Sequence, residues 1–95
     1  MVIIAGHIVV ADEGRDHYVE AHRDLVVRAR AFRGCIDLAI TADPVDPGRV
    51  NNVEIWRSAD DLEAWRGVAN APDHGIPMLH ASVQRYDATD GGPLF

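Results

Sequence analysis

Asn52, Glu54 and Trp56 stand at alternate positions of a short apolar run from Arg49 to Arg57. In an extended strand alternate side chains share a face, so these three sit beside Val50 while Val53 and Ile55 point the other way. An amide, a carboxylate and an indole N–H on one wall can orient a polar aromatic molecule and stabilise an oxyanion. The plainer alternative makes Asn52 and Glu54 solvated, or pairs Glu54 with an arginine, and leaves Trp56 as packing. Histidine is the natural proton carrier near neutral pH, and His22 and His7 are the candidates if both converge on that wall. His74 and His80 complete a potential cluster, but the spacing matches no metal motif such as H-E-x-x-H. No metal is expected; ligands would have to come from His7, His22, Glu54 or His80. Cys35 has no visible activating base and reads as packing. Gly6 is isolated and Gly91-Gly92 is terminal, so neither forms a phosphate loop.

The 95 residues carry a formal charge of −6 and are 47% apolar, enough for one thin-cored domain spanning 1–95. All nine basic residues are arginines scattered along the chain, so neither nucleic acid nor an anionic membrane is an expected partner. A single cysteine excludes an intrachain disulfide. The start lacks a signal-peptide pattern, and no apolar run approaches membrane-spanning length. These features point to the cytoplasm.

The elements that must position the chemistry follow from periodicity. Val2 to Val10 is a nearly continuous β-branched run and predicts a strand apolar on both faces. Asp12 is a possible cap for the helix that follows. Tyr18, His22, Leu25, Val26, Ala29 and Phe32 then form one stripe of a helix over 15–32, ended by Gly34. Cys35 to Ala42 predicts a second strand, Asp43 to Gly48 a loop, and Arg49 to Arg57 a third strand. Ser58 caps a short helix carrying Leu62 and Trp65. After an irregular stretch over 70–77, Met78 to Tyr86 predicts a fourth strand, with 88–95 as a flexible tail.

The order is β-α-β-β-α-β, an α+β ferredoxin-like pattern: a four-stranded antiparallel sheet with two helices on one face. The first strand carries Ile4, Ile8 and Val10 on one side and Ile3, Ala5 and Val9 on the other. Two helices cover one side only, so a second copy is expected to cover the other and make a homodimer.

Two stretches resemble the antibiotic biosynthesis monooxygenase family. Ala29-Arg-Ala-Phe-Arg-Gly-Cys-Ile is similar to the family's helix end running into a Gly-Cys and the second strand. Val53-Glu-Ile-Trp-Arg-Ser-Ala-Asp-Asp-Leu-Glu-Ala-Trp resembles its E-x-W-x-S-x-x-x-L-x-A signature. The resemblance implies a dimeric α+β barrel. It also implies a cofactor-independent monooxygenase that oxidises a phenolic, quinol or polyketide-like aromatic with molecular oxygen. The deprotonated substrate itself then reduces oxygen, and the protein binds the ring, steadies its oxyanion and moves protons. On that resemblance Asn52 and Trp56 are the oxyanion donors and His22 or His7 the proton carrier, with Glu54, Trp65, His74 and Phe32 in the substrate-binding wall. The tyrosine and arginine that assist in polyketide-tailoring members have no recognisable counterparts.

A second branch of the superfamily degrades haem. The nine-residue steps from Trp56 to Trp65 and from Trp65 to His74 are similar to that branch. His7 stands where its asparagine would be, and Asn70-Ala-Pro-Asp interrupts the helix that should present the histidine. A non-catalytic dimer binding a small ligand is the third reading.

Overall fold

The computed structural model describes residues 1–95. Strands β1 (Val2–Val9), β2 (Cys35–Ala42), β3 (Arg49–Trp56) and β4 (His80–Asp87) form one antiparallel sheet in the order β2-β3-β1-β4. Helices α1 (Arg15–Ala21) and α2 (Arg23–Arg30) pack over β2 and β3, and α3 (Ala59–Arg66) packs on β3. This is the ferredoxin-like α+β fold that the periodicity predicts.

Helices on one side split the sheet into unlike faces. Val2, Ile4 and Ile8 are buried beneath them, whereas Ile3, Ala5, His7 and Val9 on the opposite face are half-exposed. β4 has no helix behind it, and every one of its residues is exposed.

Beneath the helices the core forms two clusters. The larger joins Val2, Ile4, Leu38, Trp56, Leu62 and Trp65; the smaller joins Ile8, Val10, Tyr18 and Val50. Asn52 and Glu54 sit on β3 between Val50 of the smaller cluster and Trp56 of the larger, so polar side chains interrupt the apolar layer along that strand.

The helix expected over 15–32 is two helices. Asp12 does not cap the first: it lies within a 3-10 turn over Asp12–Gly14, and α1 begins with no side-chain cap. The break comes at His22, whose imidazole Nδ1 donates to the Tyr18 carbonyl at 2.7 Å. That carbonyl is the acceptor a regular helix would assign to the His22 backbone N–H, which turns instead to Val19 at 3.1 Å. α2 ends at Arg30 rather than Phe32, and Gly34, at φ +84°, reverses the chain with its carbonyl accepting from the Arg57 N–H at 2.8 Å. Ser58 caps α3 as expected, its hydroxyl accepting from the Asp61 N–H at 3.1 Å. The fourth strand starts two residues later than its apolar pattern implies. Beyond it, Ala88 and Met1 exchange two hydrogen bonds of 2.9 Å, so the ladder outlasts the expected start of the tail.

Candidate functional site

The polar face of β3 looks toward the helices, as its alternation requires. Trp56 is fully buried, and its indole N–H donates to Glu54 Oε1 at 3.0 Å. Glu54 therefore has the neighbouring indole as its partner and no arginine in an ion pair. Asn52 donates to the Val50 carbonyl at 3.2 Å through one amide hydrogen, which leaves the second hydrogen and the amide oxygen for another partner. Asn52 is the donor on this wall without a strong internal commitment.

Across from the sheet lies a group of three rings. Tyr18 and His22 are 4.3 Å apart, Tyr18 and His74 4.6 Å, and His22 and His74 5.3 Å, centroid to centroid. Two hydrogen bonds settle the neutral tautomers. His22 Nδ1 faces a carbonyl and must carry the proton, so Nε2 is the basic nitrogen. His74 Nδ1 accepts from the Ile76 N–H at 3.0 Å, so its own N–H is at Nε2. One ring thus offers a lone pair and the other a proton. Burial pushes the Tyr18 hydroxyl above its ordinary pKa and keeps it protonated at neutral pH. Tyr18 was visible in the sequence only as a stripe residue; its i, i+4 relation to His22 was the available signal.

His7 does not join them. Gly6 pairs with Asn52 across β1 and β3, while His7 pairs with Asn51 and lies on the opposite face, 6.2 Å from His80 ring to ring. The condition that His7 and His22 converge on one wall is not met, and strand parity removes His7 as a candidate there: neighbouring residues point to opposite faces. The same parity scatters the metal candidates, and no three His, Cys, Asp or Glu side chains converge as a metal centre would need.

Trp65 and Phe32 pack into the core. Trp65 stacks on Trp56 at 6.1 Å, and Phe32 meets Trp65 at 5.4 Å and Trp56 at 6.3 Å. Arg28 lies over the Trp65 ring, its guanidinium carbon 5.7 Å from the centroid. A haem would need Trp65 on a cavity wall and His74 free to turn toward the iron. Instead Trp65 is sealed between aromatic rings and His74 is held by Ile76 and Tyr18, an arrangement that does not fit a haem cradle. Cys35 is half-buried; burial first, then Asp37 and Glu54, raise its thiol pKa against an opposing effect of Arg30, so it is a poor nucleophile.

A cleft of about 440 Å³ opens between the helices and residues 70–73, with Leu25, Arg28 and Pro72 among its walls; none of the three rings, nor Asn52, lines it directly. Ala21 and Asp73, the neighbours in sequence of His22 and His74, also line it. Its volume is in the range that holds a small organic molecule.

Solved structures share this architecture. A provisionally named antibiotic biosynthesis monooxygenase from Deinococcus radiodurans superposes with a TM-score of 0.79 at 20% identity, covering 100% of this chain and 99% of that one. A similarly named protein from Caulobacter crescentus gives 0.76 at 19% identity, over 94% of this chain and 90% of that one. One from Chloroflexus aurantiacus gives 0.73 at 18%, over 99% and 98%. At such identities the likeness establishes the fold alone. No curated protein matches the sequence. The family model described as antibiotic biosynthesis monooxygenase matches residues 1–71, which include β1, the Gly34-Cys35 junction, all of β3 and α3. With three quarters of its length matched, the chain belongs to the antibiotic biosynthesis monooxygenase family.

Proposed function

We propose that the protein is a cofactor-independent monooxygenase that oxidises a phenolic, quinol or polyketide-like aromatic with molecular oxygen. The observation that carries this reading is the pair of complementary imidazoles, His22 and His74, 5.3 Å apart and each next in sequence to a residue that lines the cleft. His22 Nε2 takes a proton from the bound ring and leaves an electron-rich anion. The free amide hydrogen of Asn52 donates to the oxyanion. For a ring methylene, the anion reduces oxygen through a new C–O bond. The second C–H and the O–O bond then break, water leaves, and CH₂ plus O₂ becomes a carbonyl plus H₂O. The proton held on the His22 imidazolium passes to the departing oxygen, His74 Nε2–H donates a hydrogen bond to that oxygen, and the second C–H proton leaves in the same water molecule. Trp56 acts through Glu54, which it holds in place. Neither flavin nor metal takes part, and the working unit is a homodimer joined through the half-exposed sheet face.

The test compares purified protein with an anthrone and a hydroquinone, in air and under argon, with no cofactor added. Turnover that requires oxygen is the expected result. Saturable binding with no product in either atmosphere would overturn the enzymatic reading in favour of a binding module. A Soret shift on haem titration would favour the haem-degrading branch instead.

A further inference from the structure

A second groove lies on the other flank of α2, and the proposed reaction leaves it unused. It runs between the helices and the edge strand β2, encloses about 350 Å³, and includes Val19, Val26, Ile40, Arg23, Arg30 and Glu20 in its lining. Val19, Val26 and Ile40 are half-buried against the core and form an apolar floor; Arg23, Arg30 and Glu20 are exposed at the rim.

The two arginines differ from most others in the chain. Arg15, Arg28, Arg33, Arg49 and Arg66 each pair with a carboxylate, whereas Arg23 and Arg30 pair with none. Arg30 is also held in place: its Nε donates to the Leu38 carbonyl of β2 at 2.8 Å. That bond uses one of five N–H donors and leaves the two terminal nitrogens as an end-on pair, the geometry that grips a carboxylate with two parallel bonds. Arg23 is seven residues earlier, about 10 Å along the helix, with Val26 between them. In a protein of net charge −6, a pinned and unpaired guanidinium beside an apolar floor is a local reversal of the prevailing field. Glu20 at the rim opposes a second negative charge.

We propose that this groove binds a small organic monocarboxylate with an apolar body, the carboxylate on the terminal nitrogens of Arg30 and the body on Val19, Val26 and Ile40. Arg23 strengthens the attraction from the far end. None of the groove's residues belongs to the His22–His74 group, although Ile40 of its floor pairs with Asn52 across β2 and β3.

Benzoate is a suitable probe, with neutral benzamide as the control, followed by ¹H–¹⁵N NMR titration of the full chain. Benzoate should give saturable shifts centred on residues 19–30 and 40–41, with a dissociation constant on the order of 1 mM, and benzamide should bind at least about tenfold more weakly. Arg30→Gln should weaken benzoate about tenfold and Arg23→Gln about threefold, while Arg66→Gln, remote on α3, leaves it unchanged. If Arg30→Gln fails to fold, Arg23→Gln and the loss of affinity on raising salt carry the test. Equal binding of benzoate and benzamide, shifts centred on residues 70–73 instead, or full affinity in the arginine variants would overturn the proposal and leave both guanidiniums as solvated head groups over apolar stems.

Discussion

Asn52 and Trp56 resemble a matched pair of donors in the sequence, yet they occupy different positions energetically. Trp56 is fully buried with its N–H committed to Glu54, whereas Asn52 has one long bond to its own strand. Asn52→Ala should therefore lower turnover about a hundredfold, the usual effect of losing one oxyanion donor, with little change in melting temperature. Trp56→Phe should do the reverse in stability. It strips the indole donor from a half-buried carboxylate and should cost about 1–3 kcal/mol in urea unfolding, with activity falling only as Glu54 loosens. A Trp56→Phe protein of native stability and no turnover would return the indole to the substrate. The types and alternation of these residues were legible from the sequence. Their partners were not, because an N–H can turn toward a substrate or a neighbour, and only packing decides which.

At the scale of elements, two features of the sheet make distinct predictions. Gly6, at φ +153°, lies so close to β4 that an added Cβ would collide with the Ser82 carbonyl oxygen. Gly6→Ala must push the edge strand away and should destabilise the fold by about 2 kcal/mol or more. Hydrogen exchange should then accelerate over residues 80–87 while β2 and β3 stay protected. The β2–β3 connection depends on Asp43. The Asn51 amide foremost, then the Asp46 N–H, with help from Val45 and Arg49, lowers its carboxyl from 3.8 to about 2. A carboxyl with a depressed folded-state pKa contributes stability above its ordinary pKa and loses it as pH falls through the lowered value. Thermal unfolding should thus weaken between about pH 4 and pH 2. Asp43→Asn should be less stable at neutral pH and converge on the native protein in acid; parallel profiles would remove Asp43 from the acid limb.

For the whole molecule, the unequal faces of the sheet matter most. Ile3, Ala5, Val53 and Ile55 form a half-exposed apolar surface that no helix covers, and Val83 and Tyr86 of β4 are exposed on opposite faces. A second copy laid on the Ile3–Ile55 face would bury it, and the homodimer in the proposed function rests on this. Sedimentation should give twice the 10.4 kDa protomer mass, and Ile55→Glu, by placing a charge in that surface, should give one. A native protein that sediments as a lone protomer at micromolar concentration would contradict the dimer.

The sequence by itself determined the element order, the Ser58 cap, the turn at Gly34 and the shared face of Asn52, Glu54 and Trp56. All of these depend on local periodicity and side-chain type. Tertiary structure alone decided the rest. The register of β1 on β3 put Gly6, and not His7, opposite Asn52. The capture of the Tyr18 carbonyl by His22 broke the helix and fixed its tautomer. The fold of residues 67–79 brought His74 against both rings. Each of these depends on which of several polar or apolar partners lies within a few ångströms once distant segments meet, and spacing along the chain does not encode that choice.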